Sequence, residues 1–461
     1  MALTVMKFGG SVLSSAEDLR HVALLLKQRI ESNPKEKIVA VVSALKGLTD
    51  YLIDSAEIAL KNETKNEERL KEIESIHLNI LNEIEDEEIV SEIRERFTEK
   101  FKKLRRMLYG ISYLKELSPR SRDFVFSRGE TFSNLLLEAF LREINVKAKA
   151  FDSEEIGIIT NGVYGNSNPN YDLTKKNLDK NLVPFIEENI CIVSGYYGLS
   201  EKGEVTVFGR GGTDLTGGML ANCLNAGKLE LWKDVDGLLT TDPRIVSNAR
   251  IVKEISYDEA EELGYFGAKV LHPRTIIPLR EKNIPAEIKN IKSNSKEKTI
   301  ISGKGNGKEF IKSIAIDNNI ALINIKSVDF VGVPGALSKI FREVSEKGIS
   351  VDFVSTAETG ISFSVKKNEA MKALNALKNL NFNIQNLNAE EDVALLGVVG
   401  AGIKNSIGFA GRLFTVLGKE KINVEAISQG SSELNISLII KEKEINNAVK
   451  AIHKEFLEES K

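Results

Sequence analysis

Within its first 42 residues the chain reads as strand, glycine turn, helix and strand, and that order leaves few folds open. Thr4-Val5-Met6-Lys7-Phe8 suits a strand and runs into Gly9-Gly10-Ser11. Leu19, Val22, Ala23, Leu26 and Ile30 then fall on one helical face, and Ser14 with Glu17 predicts a capping box at its start. Ile38-Val39-Ala40-Val41-Val42 is a continuous apolar run, as in a strand covered on both faces. The succession predicts an α/β domain with a mainly parallel sheet and right-handed crossovers.

The sheet is interrupted from about residue 52 to 118, where Glu and Lys alternate with Leu and Ile at helical spacing, and resumes at Ile190–Val193 and Lys228–Trp232. A helix is expected near Ser256. Residues 294–308 turn to Ser, Lys, Gly and Asn, which marks the main domain boundary. Beyond it lies an internal repeat: Pro334-Gly335-Ala336-Leu337-Ser338-Lys339-Ile340-Phe341 matches Ile407-Gly408-Phe409-Ala410-Gly411-Arg412-Leu413-Phe414. Each unit closes on a strand, Ile361–Val365 and Ile436–Ile440. A net charge of −3 draws the chain to neither nucleic acid nor an anionic membrane, so any anion site must be local. No secretory signal and no run of about 18 apolar residues is visible, and the two cysteines, Cys191 and Cys223, read as a buried reduced pair. The expected compartment is the cytoplasm.

Four loops can carry chemistry. Lys7-Phe8-Gly9-Gly10-Ser11 offers backbone N–H groups and a lysine to a phosphate. In Phe208-Gly209-Arg210-Gly211-Gly212-Thr213-Asp214, a helix cap accounts for Asp214, whereas an arginine between glycines suits a carboxylate ligand. Trp232-Lys233-Asp234-Val235-Asp236-Gly237 with Thr240-Thr241-Asp242-Pro243-Arg244 forms a polar wall, and Phe266-Gly267-Ala268-Lys269-Val270-Leu271-His272-Pro273 is the fourth. All are expected to follow strands of one sheet and meet at its carboxyl edge. Neither a Walker loop nor the protein-kinase signatures occur, and the histidines and cysteines form no zinc or nucleophile pattern. From the residues alone, the first domain binds an anionic, phosphorylated ligand.

Taken together and in this order, the four loops resemble those of aspartate kinases, and the repeats resemble ACT domains, which bind small effectors. The resemblance implies an amino-acid-kinase fold at 1–295, a linker at 296–308, a ferredoxin-like α+β ACT domain at 317–385, and a second ACT domain made of 309–316 and 386–461. It implies transfer of the ATP γ-phosphoryl group to the side-chain carboxylate of L-aspartate, with Mg²⁺ arriving on the nucleotide, as the first step toward lysine, threonine and methionine. By position it assigns Lys7 and Asp214 to catalysis. Ser43, Thr49, Glu130, Arg210, Gly211 and Gly212 fall to aspartate, with Arg210 on its α-carboxylate and Glu130 on its ammonium. Gly9, Gly10, Ser11, Thr213, Lys233, Asp234, Leu239, Arg244 and Lys269, with Lys7, fall to ATP. Val333, Gly335, Ala336, Leu337, Asp352, Thr356, Ala357 and Glu358 fall to an effector, lysine by preference or threonine. Pairing of ACT units between subunits implies at least a homodimer.

Three departures from the family pattern stand out. The glycine loop is one residue short, because a threonine is usual between Gly10 and the following serine. Lys233 replaces a small hydroxyl residue, and Leu239 replaces an aromatic. Two alternatives follow from them: a kinase of another carboxylate, or an effector-binding regulator that has lost catalysis.

Overall fold

The computed structural model describes residues 3–266, 272–293, 297–305, 310–330, 334–378, 380 and 382–458. It divides into two compact units, 1–238 with 274–303, and 239–273 with 304–461.

In the first unit the central sheet runs Ala148–Phe151, Ile190–Ser194, Lys37–Val42, Leu3–Phe8, Lys228–Lys233, Ala286–Asn290, Thr299–Ser302. Every neighbouring pair is parallel except the last. Phe8 pairs with both Val42 and Trp232, and Val42 with Ser194, so four strands end level and their loops leave from one edge. Helices Leu48–Lys61, Glu63–Leu81 and Glu87–Leu114 make up the expected helical excursion. Their charged residues are exposed or half-exposed, whereas Ser55, Asn66, His77 and Ser112 are buried. Between them and the sheet runs Arg128–Glu143, buried along almost its whole length because both of its faces are covered. Phe97, Phe101 and Phe132 cluster with His77 at the join.

The first helix, Ala16–Ser32, is capped one residue later than expected. Ser15 accepts from the Asp18 N–H, while Ser14 bonds the Asp18 carboxylate. Two of the four loops also depart from the single-edge expectation. Arg210–Asp214 follows Val205–Val207, which belongs to a separate small sheet with Ile159–Thr160 and Tyr197–Ser200. Residues 266–273 follow the helix Tyr257–Tyr265 rather than a strand, and 267–271 lie outside the described residues.

The second unit holds two four-stranded sheets among the described residues. One contains Ile320–Ser327, Val354–Thr356, Gly360–Lys366 and Ile384–Glu390; the other, Ser313–Asp317, Val393–Val399, Ala426–Ser428 and Asn435–Lys441. The first repeat is thus inserted after the leading strand of the second. Its last strand runs to Glu390, because Leu322–Ser327 pairs with Ile384–Glu390, which corrects the expected division at 385. Helices Ala336–Glu346 and Phe409–Lys419 both open on a left-handed glycine, Gly335 at φ 83° and Gly408 at φ 84°. Residues 239–273, expected in the first domain, belong to this unit: Ile314 N–H donates to Thr240 O at 2.8 Å, and Thr240 Oγ1 lies 3.0 Å from His453 Nε2. The expected linker at 296–308 falls partly outside the described residues.

Gly129 lets the buried helix approach the chain after Val42, since a β-carbon there would lie 2.6 Å from Ala44 Cβ. Gly129→Ala is therefore expected to cost about 1–3 kcal/mol, the usual cost of overpacking, read as a lower urea midpoint at unchanged m-value.

Candidate active site

Three elements of the first unit converge beside Lys7. The strand Leu3–Phe8 carries this lysine near its carboxyl end, and the chain then turns through Gly9 and Gly10. A β-carbon at Gly10 would sit 2.9 Å from the Ala44 carbonyl, so only glycine fits against the neighbouring loop. Helix Gly212–Cys223, opened by Gly211 at φ 73°, lies close because Gly217 faces the Lys7 side chain, where a β-carbon would be 3.4 Å from Lys7 Cβ. That helix presents Asp214 in its first turn.

Asp214 holds two ammonium groups. Its Oδ1 lies 2.5 Å from Lys7 Nζ, and its Oδ2 lies 3.3 Å from Lys233 Nζ. Burial disfavours the charged carboxylate, but Lys233 and Lys7 together outweigh it and hold the Asp214 carboxyl at about 2. Burial also pulls the Lys233 ammonium downward, against the opposing pull of Asp214. With all three groups charged the cluster carries one net positive charge, suited to an anion with negative oxygens. Around it Ser11 Oγ donates to Asp234 Oδ1 at 3.0 Å, and Ser43 Oγ lies 3.4 Å from Thr213 Oγ1. Thr213 packs so closely that a β-carbon at Gly195 would meet its methyl at 2.5 Å.

Glu130 is only 2% exposed, and its Oε2 meets no hydrogen-bond partner among the described residues. Burial raises its carboxyl to about 8, although N–H groups of Glu130 and Ala44 and the charges of Arg128 and Lys7 oppose the shift. Arg210 contrasts with it. The side chain is exposed between Gly209 at φ 75° and Gly211 at φ 73°, with no partner among the described residues. Thr49 is half-buried in the first turn of Leu48–Lys61.

Other assigned residues belong to the second unit or lie outside the described residues. Leu239 and Arg244 fall in the second unit, and Arg244 is engaged within its own turn by Asp242 at 2.5 Å. Lys269 and Val333 lie outside the described residues. Of the effector set, Ala336 is buried, Leu337, Thr356, Ala357 and Glu358 are exposed, and Asp352 is half-exposed. The Asp352 carboxylate is 3.8 Å from Lys366 Nζ, and its carbonyl accepts from the Tyr265 hydroxyl. Sequence reading passed over Asp123, whose buried carboxylate accepts from the N–H groups of Gly165 at 2.8 Å and Val207 at 2.9 Å. It also passed over Arg274, which bonds the same two chain segments and follows a proline with no pattern to mark it.

Residues 2–290 match the Amino acid kinase family, and residues 323–380 and 396–456 match the ACT domain. Aspartokinase 2, chloroplastic, of Arabidopsis thaliana is 35% identical over 98% of this chain and 84% of its own length. This chain belongs to the aspartokinase family. Crystal structures of E. coli aspartokinase III, 28% identical, match 99% of this chain and all of theirs: a complex with aspartate and ADP at TM-score 0.84, and one with lysine and aspartate at 0.83. The chain is thus an aspartate kinase by family, with a regulatory ACT pair. Among the described residues no helix is long and apolar enough to cross a membrane, and no His/Cys/Asp/Glu group is arranged to hold a metal.

Because the Glu130 carboxyl titrates higher in the folded aspartokinase than unfolded, the folded state keeps a proton that the unfolded state loses between about pH 4.5 and 8. Its contribution to stability therefore falls as pH rises through that window. Glu130→Gln is expected to melt higher than the parent at pH 8, with the gap closing toward pH 4.5 in parallel melts.

Proposed function

We propose that the cluster of Lys7, Asp214 and Lys233 stabilises a γ-phosphoryl group in flight from MgATP to the β-carboxylate of L-aspartate. The observation that carries this reading is the single buried carboxylate shared by two lysines at 2.5 and 3.3 Å, beside the glycine turn. A side-chain carboxylate has an ordinary pKa of about 3.9 and is already ionised near neutral pH. Its oxygen attacks the γ-phosphorus without a general base, the bond to the β,γ-bridging oxygen breaks, and ADP leaves, giving 4-phospho-L-aspartate. Lys7 and Lys233 meet the charge on the transferring oxygens, and Mg²⁺ enters with the nucleotide, neutralising phosphate charge. Gly9, Gly10, Ser11, Thr213 and Asp234 line the phosphate side in this reading. Arg210 takes the α-carboxylate and Glu130 the ammonium, whose charge favours loss of the Glu130 proton. Ser43, Thr49, Gly211 and Gly212 complete the pocket.

The regulator in this reading is lysine, bound at the first repeat with its second ammonium on Asp352. The E. coli relative solved with lysine supports that choice over threonine. Asp352 supports it too, being a half-exposed carboxylate beside the short edge strand Val354–Thr356. An exposed sheet edge of this kind also suits pairing with a second copy, hence a homodimer or larger assembly. Two buried free thiols, Cys191 and Cys223, favour a reducing compartment such as the cytoplasm.

Hydroxylamine trapping of the acyl phosphate tests the whole reading. Hydroxamate should form from MgATP with aspartate and not with glutamate; no product from folded, ATP-binding protein would overturn it. In that assay Lys7→Ala is expected to lower kcat by about 100-fold or more while the KM for ATP changes only a few-fold. Asp352→Ala should keep activity and lose inhibition by lysine; inhibition surviving intact would remove Asp352 from the effector site.

A further inference from the structure

Arg274, the second residue of helix Pro273–Glu281, has no part in the reaction as described. Its guanidinium nevertheless reaches, among the described residues, four acceptors on two separate loops of the first unit. Nη1 donates to Asn166 Oδ1 at 2.8 Å and to the Phe208 carbonyl at 2.5 Å. Nη2 donates to the Ser167 carbonyl and to Asn168 Oδ1 at 2.9 Å. These four acceptors are neutral, so what these four bonds supply is direction, through the planar fork of the guanidinium.

Both loops are already closely drawn together. Ser167 N–H donates to the Val207 carbonyl at 2.9 Å, and a β-carbon at Gly209 would lie 2.8 Å from the Gly165 carbonyl. Phe208 is buried, its N–H donates to Tyr196 O at 2.8 Å, and its carbonyl is the one Arg274 takes. Phe208 is therefore the last anchored peptide before the chain turns through Gly209, Arg210 and Gly211. The exposed Arg210 has no side-chain partner among the described residues to fix it, so its position depends on the backbone at either side.

We propose that Arg274 is a positioning residue for the substrate: by bonding the Phe208 carbonyl and the Asn166–Asn168 loop together, it sets where Arg210 meets the α-carboxylate. This rests on the reading that Arg210 is that clamp. Lysine cannot replace Arg274, since a single ammonium presents its three donors from one point and cannot span both loops in a plane.

The test compares Arg274→Lys, Arg274→Met, Arg210→Met and the Arg210→Met/Arg274→Met pair in the full chain, with initial rates against both substrates and thermal melts. Both Arg274 variants are expected to raise the KM for aspartate by about 10-fold or more, as misplacement of a substrate clamp does, while the KM for MgATP stays within about 2-fold. In the Arg210→Met background, Arg274→Met should add little to the aspartate KM, because the clamp it serves is gone. An unchanged aspartate KM in Arg274→Lys, equal losses for both substrates, or full additivity in the pair would overturn the inference. Should Arg274→Met fail to fold, Asn166→Ala/Asn168→Ala removes two of the acceptors and is held to the same criteria. If Arg210→Met itself leaves the aspartate KM unchanged, it is the substrate assignment of Arg210 that falls.

Discussion

A buried carboxylate between two lysines organises the first unit. Asp214 alone at the end of a packed helix would be driven toward its neutral form by burial, and either lysine alone would face the same loss of hydration. Together they are charged and ordered, and the cluster ties the strand carrying Lys7, the helix carrying Asp214 and the strand end carrying Lys233. Removing the carboxylate would leave two like charges close together with nothing between them, and such broken buried pairs are costly. Gly217 brings the helix carrying Asp214 against the Lys7 side chain, and Gly10 fits the turn after Phe8 against the Ala44 carbonyl.

The two ends of the proposed substrate pocket differ in how they are built. Glu130 stands on a helix covered on both sides and shut off from water, whereas Arg210 stands exposed at the crest of a glycine turn. In the proposed reading the buried end supplies discrimination, because an unsatisfied buried carboxyl oxygen strongly favours a ligand with a donor. The exposed end supplies access, and its precision comes from backbone anchors at Phe208 and Gly212 rather than from packing of the arginine itself.

Local patterns in the sequence were enough to read the strand–turn–helix–strand opening, the helical excursion and the repeats, because strand and helix periodicities are written within a dozen residues. Gly335 and Gly408 marked equivalent helix starts for the same reason. The family resemblance added Lys7 and Asp214 as a pair. Lys233 was visible as a departure, but its bond to Asp214, 19 residues earlier, depends on how a strand lies against a helix. The strand before the Arg210 loop, Val205–Val207, is too short to carry a periodic signal of its own, so that loop was credited to the wrong sheet. The placement of 239–273 was also hidden, because it is decided by pairing with residues some 70 to 210 positions later.

That last pairing bears on how such a gene can change. The chain passes from one unit to the other after 238, back after 273, and over again after 303. A premature stop codon near 303 would therefore not release a clean, unregulated catalyst. It would strand residues 239–273, which include Thr240 and the apolar Val246, without the partners that bury them. Substitutions within the second unit leave this shared packing whole, whereas deletion of the tail alone exposes it.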